Sequence, residues 1–451
     1  MTERKKSFDR SKAAFWLASF LIVFCYGVMV GRFRVFPFSI MKLGEDAVSS
    51  VIQERKTILG VRPEHFLGKA RNEGKGITRY EKDRTAPGLT LLEGFFDGSN
   101  EIRLISPDGS MVRNWRVAFF NLIKDTSFIK DDYFVPKTDW NVEIQGAVAL
   151  PDGSVVFNFE RTGLVKLDRC GAVVWTLHRM THHSVEPSAD GGFWVPGLRY
   201  VESKDQSPFP MLPTPYYEDT LMKISAEGEV VKEISFLGLF FGNNLVSGIL
   251  LANGLPGIEL AKSRGKVPQE ITHLNDIEEL SVELAHRFPQ FAAGDLLLSE
   301  RDYNLIMVVD PNTQKVKWYQ QGPWLRQHDP DFGENKKITI FSNNNDSTQD
   351  GTLLGGSTVL ELDPISGEVR TKFGGDPKRR MYTDIRGKHQ ILANGNMLIT
   401  ESNSGRVLEV DSEGNIVWEF INRYDETSVA IVTQATRYPD GHFTVRDWTC
   451  Q

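Results

Sequence analysis

The sequence predicts an all-β fold, a six-bladed β-propeller preceded by a single N-terminal transmembrane helix. Two observations lead to this prediction: one turn signature recurs six times, and one uncharged apolar segment lies near the N-terminus. The chain has 451 residues, 40% hydrophobic and 25% charged, as in ordinary globular proteins. Its formal net charge is −7, and no basic stripe follows the first residues. Nucleic-acid binding, which needs a basic surface, is therefore not expected.

The repeated signature is an Asp/Ser-x-x-Gly turn, or a close variant, followed by β-branched residues and often a tryptophan. Its six copies are SPDGSMVRNW (106–115), DRCGAVVW (168–175), SAEGEVVKEI (225–234), DPNTQKVKW (310–318), DPISGEVRTKF (363–373) and DSEGNIVWEF (411–420). A second turn, as in ALPDGSVVF (149–157) and ILANGNMLIT (391–400), precedes it in most units. Each unit thus alternates strands and turns, and one such small sheet cannot bury both of its faces. Six stacked units predict a six-bladed propeller.

The propeller is predicted to occupy residues 85–451. Its last fragment, Ile431 to Trp448, has the texture of an inner strand but is too short for a further blade. We expect it to complete the first blade and close the ring. A β-sandwich is the alternative, but it would not need the same turn six times.

Residues 13–30 (AAFWLASFLIVFCYGVMV) carry no charge and, at about 1.5 Å per residue, are just long enough to cross a bilayer as a helix. Basic residues are denser before this segment than after it. The tail 1–12 is therefore predicted to remain cytoplasmic, with the propeller on the periplasmic or other extracytoplasmic side. A cleaved signal peptide is the alternative, although no small-x-small cleavage site follows the apolar run.

Residues 31–84 are predicted to form a helical stalk and a linker. The segment 39–57 has an amphipathic helical pattern, and residues 68–86 are polar and contain glycine.

Three cysteines exclude a disulfide framework. One bridge, between Cys170 and Cys450, is conceivable, but spacing alone does not decide it.

Four histidines share one place in the repeat, just before an innermost strand: His183, His273, His328 and His389. The starts of the inner strands of a propeller surround one mouth of its central channel, so we expect these imidazoles to face a common pocket. A single histidine there would more often be structural, whereas clustered titratable groups are typical of a functional site. Arg301 ends the strand that follows His273 and is predicted to point into the same channel.

Imidazoles can bind a metal or an anion. No HxH or HExxH spacing supports a metal, and an arginine beside a metal cation is unfavourable. Imidazoles with an arginine suit a tetrahedral oxyanion such as a sulfuryl or phosphoryl group. We therefore predict neither a metal nor a cofactor at this site.

At these residues the sequence resembles the bacterial arylsulfate sulfotransferases (the arylsulfotransferase family). The resemblance is carried by His182-His183, by His273 followed by Asn275-Asp276-Ile277, by 299–301, by Gln327-His328-Asp329 and by 343–346. It extends with gaps from about residue 88 to residue 448. The order of these pieces within a six-fold repeat is more specific than any one of them.

The resemblance implies an enzyme outside the cytoplasm that moves a sulfuryl group from an aryl sulfate to a phenol without a nucleotide donor. His328 would form a transient sulfohistidine. His183, His273 and Arg301 would hold the sulfuryl oxygens. Asn275 is a further candidate for substrate binding, and His389 is one on repeat position alone. Residues 31–85 are too short and too helical for the extra N-terminal β-domain of the well-studied members.

A proline-rich segment, SPFPMLPTPYY (207–217), is predicted to form a rim loop. Its Tyr216 and Tyr217 are candidates for stacking on an aryl ring of the substrate. Two other functions stay open: a non-catalytic, membrane-tethered binding scaffold and, less favoured, a quinone-cofactor dehydrogenase. A scaffold would not need Gln327, His328 and Arg301 together.

Overall fold

A computed structural model describes residues 10–33, 60–130, 134–212, 214–247, 269–376 and 380–450. The chain forms two compact units, Met1–Arg62 and Pro63–Gln451.

In the first unit a helix covers Arg10–Phe33, and most of its apolar side chains are exposed. This helix includes the segment 13–30 that the sequence assigns to a membrane anchor. Within the described residues, however, none of the helices combines the length and apolarity that a membrane crossing requires. The prediction of a transmembrane helix is thus not supported. The helix predicted at 39–57 lies outside the described residues.

The second unit contains six antiparallel sheets, each built around four strands. In chain order its strands are β1 (Leu67–Lys69), β2 (Gly76–Tyr80), β3 (Leu89–Phe96), β4 (Ser99–Ile105), β5 (Met111–Arg116), β6 (Ile144–Ala149), β7 (Val155–Phe159), β8 (Gly163–Leu167), β9 (Val173–Leu177), β10 (Glu186–Pro187), β11 (Phe193–Val201), β12 (Tyr216–Ile224), β13 (Val230–Ser235) and β14 (Gln269–Glu270). They continue with β15 (Leu274–Glu279), β16 (Leu296–Glu300), β17 (Leu305–Asp310), β18 (Lys315–Gln321), β19 (His328–Phe332), β20 (Ile338–Ser342), β21 (Thr358–Leu362), β22 (Val369–Gly374), β23 (Lys388–Ile391), β24 (Met397–Glu401), β25 (Arg406–Val410), β26 (Ile416–Ile421), β27 (Ser428–Ala430) and β28 (Val432–Tyr438). Short helices cover Phe119–Leu122, Phe236–Gly242 and Val282–Ala285.

The sheets are the blades of a closed propeller. Their strand orders are β28-β3-β4-β5, β6 to β9, β10 to β13, β15 to β18, β19 to β22 and β23 to β26. The first strands contact one another in the circular order β28, β6, β10, β15, β19, β23 and back to β28. These six inner strands therefore surround the central channel, and the six-bladed prediction is confirmed.

The ring closes as the sequence predicts, because a C-terminal strand completes the N-terminal blade. Strand β28 pairs antiparallel with β3, with Tyr438 opposite Leu89.

The propeller unit begins before residue 85, where the sequence predicts its start. Strands β1 and β2, in the segment assigned from sequence to a linker, pair with β27 and β26. Strand β2 adds to the outer edge of the last blade, whereas β1 and β27 form a separate two-stranded sheet. Both β1 and β2 are short and lie outside the repeat, so the repeat pattern does not reveal them.

The recurrent Asp-x-x-Gly turn joins the third and fourth strands of a blade. In the second blade the Asp168 carboxylate accepts hydrogen bonds from the backbone N–H groups of Cys170 and Ala172, both at 2.8 Å. Gly171 has a φ of +91°, a conformation that glycine adopts without steric cost. The aspartate and the glycine of the signature thus each fix one half of the turn.

The tryptophans that follow these turns join neighbouring blades. Trp115 in the first blade donates its indole N–H to the carbonyl of Asp168 in the second at 3.0 Å. Trp175 donates in the same way to Ala226 in the third blade at 3.0 Å. Trp418 in the last blade donates to Pro107 in the first at 2.7 Å. One residue type of the repeat therefore stabilises successive blade interfaces, including the interface where the ring closes.

The C-terminal segment beyond β28 extends onto the second blade. Phe443 and Trp448 pack against the core between the first two blades. Cys450 forms a disulfide with Cys170, and their Cα atoms are 5.6 Å apart. The pairing that the sequence left open is therefore present, and it ties the closing strand's extension to a neighbouring blade.

The tryptophan contacts can be tested at the ring closure. Trp418→Phe keeps an aromatic ring but leaves the half-buried carbonyl of Pro107 without its donor, so we expect a Tm lower by about 2–4 °C in a thermal melt of the full chain. Trp318→Phe is the matched control, because no indole hydrogen bond of Trp318 is among the described contacts and this ring is only half-buried. Equal Tm losses in the two variants would contradict the assigned role of the blade-to-blade hydrogen bond.

Candidate active site in the propeller channel

Three of the four predicted histidines come together in the channel. His183 lies shortly before β10, His273 directly before β15, and His328 begins β19. The ring centroids of His183 and His273 are 4.9 Å apart, and those of His183 and His328 are 6.3 Å apart. Because adjacent inner strands converge around one channel, residues far apart in sequence become neighbours here.

Three imidazoles form a continuous chain, which we call the histidine chain: His182, His183 and His273. The Nδ1 atoms of His182 and His183 are 2.7 Å apart, and the Nε2 atoms of His183 and His273 are 3.3 Å apart. All three residues thus contact another imidazole through a ring nitrogen.

A carboxylate stands at each end of the histidine chain. Asp219 lies 3.2 Å from Nε2 of His182, and Glu270 lies 3.0 Å from Nδ1 of His273. Glu270 in turn pairs with Arg161. Nε2 of His182 has no hydrogen-bond partner among the described residues, so its approach to Asp219 is a charge contact. A neutral imidazole carries one N–H, and three neutral rings therefore supply one hydrogen to each of the three other contacts.

His328 is held in a defined orientation by Asn343. Nδ1 of His328 lies 2.7 Å from the side-chain oxygen of Asn343. The amide nitrogen of Asn343 donates to the backbone carbonyls of Thr383 at 2.9 Å and Arg386 at 2.7 Å. These two donations fix the amide, so its oxygen must face the imidazole and Nδ1 must carry the hydrogen. Nε2 then carries the lone pair, and no described contact uses it.

Burial keeps the central imidazoles neutral. Burial and the charge of Arg301 lower the pKa of His328 from 6.5 to about 3. Burial, with the neighbouring His273 and His182, holds the pKa of His183 well below its usual value. At neutral pH both rings are therefore uncharged, and the imidazole of His328 is available as a nucleophile.

Arg301 belongs to this site. Its backbone N–H donates to the carbonyl of His273 at 3.1 Å, and its side chain donates from Nε to Asp302 at 2.9 Å. The guanidinium is near enough to lower the pKa of both His183 and His328. It supplies a fixed positive charge beside His183 and His328.

The backbone at the site is strained. His183, Arg326 and Asp329 have φ angles of +54°, +54° and +53°, in the left-handed region that residues other than glycine seldom adopt. Each such residue costs on the order of 1 kcal/mol, and such outliers concentrate at functional sites. Two of the three flank or contain a predicted catalytic histidine.

Asn275 and Gln327 position the segment that carries His328. Asn275 donates to the backbone carbonyl of Gln327 at 2.7 Å. Gln327 is buried, and its amide nitrogen donates to Ser299, Glu300 and Leu305. Asn275 also lines the channel cavity with His183 and His328, which places it where the sequence predicts a substrate-binding residue.

His389 does not join the other three histidines. It is the second residue of β23, whereas His328 is the first residue of β19, and side chains alternate in direction along a strand. Lys388 takes the position beside the imidazole site, and His389 lies against Asp329 and Asp331 instead. The prediction that His389 shares the sulfuryl pocket is therefore wrong.

The two predicted stacking tyrosines are also placed differently. Tyr216 and Tyr217 lie in β12 and are 0% and 1% exposed. Tyr216 exchanges a hydrogen bond with Ser207 at 2.8 Å, and Tyr217 packs against Phe134 and Tyr200. The segment 207–217 ends in a buried strand rather than an exposed loop, so these rings are packing residues in the absence of substrate.

Sequence reasoning gave no role to several residues of the site. His182, Asn343 and Asp329 fall within the motifs that carry the resemblance, but their contacts depend on the fold. Asp219, Glu270 and Lys388 stand outside the turn signature and the histidine positions. Their contacts with His182, His273 and Asp329 are made only in the folded chain.

Fold and site together define a class: a β-propeller whose channel holds a neutral, oriented imidazole beside an arginine and further histidines. The family model described as arylsulfotransferase (ASST) matches residues 146–423. The chain belongs to the arylsulfotransferase family.

Solved structures with a similar fold have low sequence identity to this chain. A protein of unknown function from Bacteroides caccae is 13% identical, covering 78% of this chain and 98% of that chain, with a TM-score of 0.46. The WD40 domain of Neurospora crassa Pan2 is 11% identical over 81% of this chain and 88% of that chain, with a TM-score of 0.39. Virginiamycin B lyase from Staphylococcus aureus is 10% identical over 77% and 88%, with a TM-score of 0.39. No curated protein matches the sequence.

The lowered pKa of His328 predicts a pH dependence of stability. Between pH 6.5 and the folded-state pKa of about 3, the unfolded chain binds a proton at this residue and the folded chain does not. The free energy of unfolding must therefore fall as the pH falls through this window. From pH 6.5 to pH 5 the loss assigned to this histidine is about 2 kcal/mol.

His328→Gln should remove that part of the pH dependence. We expect urea unfolding midpoints of the variant to change less between pH 6.5 and pH 5 than those of the wild type. His286→Gln replaces an exposed histidine and should leave the wild-type slope unchanged. Parallel slopes for His328→Gln and the wild type would show that His328 titrates normally in the folded protein.

Proposed function

We propose that this protein is an aryl sulfotransferase that moves a sulfuryl group from an aryl sulfate to a phenol through a sulfohistidine at His328. The observation that carries the proposal is the oriented, neutral imidazole of His328, whose Nδ1 is held by Asn343 and whose Nε2 is used by no described contact. Membership of the arylsulfotransferase family supports the reaction class.

In the first half-reaction, Nε2 of His328 attacks the sulfur of the aryl sulfate. The N–S bond forms as the S–O bond to the aryl group breaks, and the phenol oxygen leaves with the electron pair. In the second half-reaction the oxygen of the acceptor phenol attacks the same sulfur, and the N–S bond breaks. Two displacements on one enzyme nucleophile predict ping-pong kinetics, and no nucleotide donor or cofactor enters.

Charge on the sulfuryl oxygens must be stabilised during both displacements. Arg301 supplies a fixed cation beside His328, and a charge already in place in a buried site stabilises developing charge at little cost in reorganisation. Both ring nitrogens of His183 and of His273 already contact groups in or at the end of the histidine chain, so a donation from either ring to a sulfuryl oxygen would replace one of these contacts. With that replacement, the three residues would take the roles that the resemblance implies.

The histidine chain offers a proton for the leaving phenolate. A proton added to the chain would be stabilised by the carboxylate of Asp219, 3.2 Å from His182, and by that of Glu270, 3.0 Å from His273. That proton can pass to the leaving oxygen in the first half-reaction and return from the acceptor phenol in the second. The overall reaction therefore balances. The phenol of the donor loses the sulfuryl group and gains a proton, and the acceptor phenol gains the sulfuryl group and loses a proton.

A non-catalytic scaffold is the alternative function. It would use the same channel mouth to bind an anion, and Arg301 with the histidine chain would suffice for that. It gives no reason for Asn343 to fix the tautomer of His328, since either ring nitrogen could donate to an anion.

We further propose that the propeller acts on the extracytoplasmic side. Cys170 and Cys450 form a disulfide, and disulfides persist mainly in oxidising compartments.

The mechanism predicts a burst. Incubation with a chromogenic aryl sulfate alone should release about one phenol per enzyme and then stall until an acceptor phenol is added. The trapped protein should carry the mass of one SO₃ group on the peptide that contains His328, in a digest kept at neutral or alkaline pH. His328→Ala should lose both the burst and the adduct, while His286→Ala, at an exposed position, should keep them.

Two further variants separate the roles. Arg301→Ala should form the adduct about a hundred- to a thousand-fold more slowly, because a charge-stabilising group is lost. Asn343→Leu should slow adduct formation without changing which residue is modified, because the ring can then adopt the other tautomer. A full burst in His328→Ala would overturn the mechanism, and absence of turnover with every aryl sulfate would favour the scaffold.

The extracytoplasmic location predicts one reactive thiol. Full-length protein isolated from its native host should react with a maleimide-polyethylene glycol at Cys25 alone under denaturing, non-reducing conditions, because Cys25 is the free cysteine. Reduction should raise the number of labelled sites to three. Cys450→Ser should expose Cys170 and give two sites without reduction. Three labelled sites in the unreduced wild type would contradict the disulfide and the assigned compartment.

A further inference from the structure

A second group of potential ligands lies below the imidazole site: Asp329 and Asp331 in β19 and His389 in β23. Each residue offers one ligand atom, and these atoms lie within 4.8 Å of one another. We call these residues the Asp-Asp-His cluster. They come from neighbouring inner strands, so the cluster is built by the rigid part of the propeller and not by a loop.

His389 is the unusual member of the cluster. It is 6% exposed, and within the described part of the chain neither of its ring nitrogens has a hydrogen-bond partner. Nδ1 lies 3.1 Å from Asp329 and Nε2 lies 3.5 Å from Asp331, so the ring is directed at both carboxylates without hydrogen-bond geometry. A buried imidazole with neither nitrogen satisfied is costly, and a further ligand would remove this cost.

The surroundings favour a cation. Asp329, Asp331 and His389 line a cavity of about 800 Å³, which gives water and ions access to the cluster. Three more carboxylates lie close by, those of Glu186, Asp276 and Glu278. Lys388 is the buried cation among them, and it already contacts Asp329 at 2.7 Å and Asp276 at 3.3 Å. With Asp329 and Asp331 these make five carboxylates around one lysine, two of them buried and three half-buried. An additional cation would offset the repulsion among them.

We propose that the Asp-Asp-His cluster binds one divalent transition-metal ion. One oxygen each of Asp329 and Asp331 and one ring nitrogen of His389 would be the protein ligands, and water from the cavity would fill the remaining positions. Two carboxylates with one imidazole are ligands suited to Zn²⁺ or Mn²⁺, whereas a site for Ca²⁺ or Mg²⁺ would use oxygen atoms alone.

This ion would stabilise the strand that carries the nucleophile. Asp329 directly follows His328 and has a left-handed φ of +53°. An ion bound to Asp329 and His389 would join β19 to β23 at the position where that conformation begins. The site is distinct from the histidine chain, and its existence does not depend on the proposed sulfuryl transfer.

The test is metal binding by the purified full-length protein. After chelation and desalting, the protein is equilibrated with Zn²⁺ or Mn²⁺, and the bound metal is measured by inductively coupled plasma mass spectrometry. We expect about one ion per chain in the wild type, and a loss of at least tenfold in affinity in His389→Ala and Asp331→Asn. Asp331→Asn keeps the size of the side chain and guards against a folding defect, which circular dichroism would also report.

His183→Ala is the matched control, because the histidine chain is the other group of imidazoles that could take up Zn²⁺. It should bind metal like the wild type. Loss of the ion in His183→Ala with full binding in His389→Ala would place the metal on the histidine chain and overturn the proposal, as would absence of binding in the wild type. The burst with aryl sulfate, measured in the same proteins, separates failure of the metal site from failure of the sulfotransferase function.

Discussion

The contact between the last strand of the chain and the first blade determines everything else in this protein. Strand β28 pairs with β3 and brings its inner neighbours β23 and β6 against it. Only in the closed ring do the inner strands face a common axis, and only then do His183, His273 and His328 become neighbours. The indole of Trp418, bonded to Pro107, and the disulfide of Cys450 both stabilise this closure. Stability of the ring and assembly of the site are thus one requirement.

Within the ring, the chemistry depends on orientation more than on the number of histidines. Imidazoles gathered in a buried channel lose their charge, because desolvation penalises the protonated form. A neutral ring is a nucleophile only if the correct nitrogen carries the lone pair, and Asn343 makes that choice for His328. The histidine chain uses the same residue type differently, since its ring nitrogens contact one another and the carboxylates of Asp219 and Glu270. Identical side chains therefore serve two purposes that their hydrogen-bond partners determine.

The sequence predicted the architecture because its signal repeats. Asp168 and Gly171 shape a turn that recurs in the other blades, and a tryptophan beyond the turn joins neighbouring blades at three interfaces. The repeat position also located three histidines correctly. It could not give the direction of a side chain, which depends on alternation along the strand. His389 stands one residue further into its strand than His328, so it faces a different set of residues. Tyr216 and Tyr217 were misplaced for a similar reason, since a proline-rich segment gives no indication that a buried strand follows.

Alternation also explains how one inner strand serves two different surroundings. His328 faces neutral imidazoles and an arginine, whereas Asp329, the next residue, faces Lys388 and the carboxylates beneath the site. The left-handed conformation of Asp329 changes the course of the backbone between the two. Lys388 and Asp329 each line both the cavity that contains His183 and His328 and the larger cavity that contains His389. The pairing of Lys388 with Asp329 at 2.7 Å compensates that carboxylate and limits the negative potential in the cavity of His328. Asp329 is therefore part of the electrostatics of the imidazole site as well as of the carboxylate group next to it.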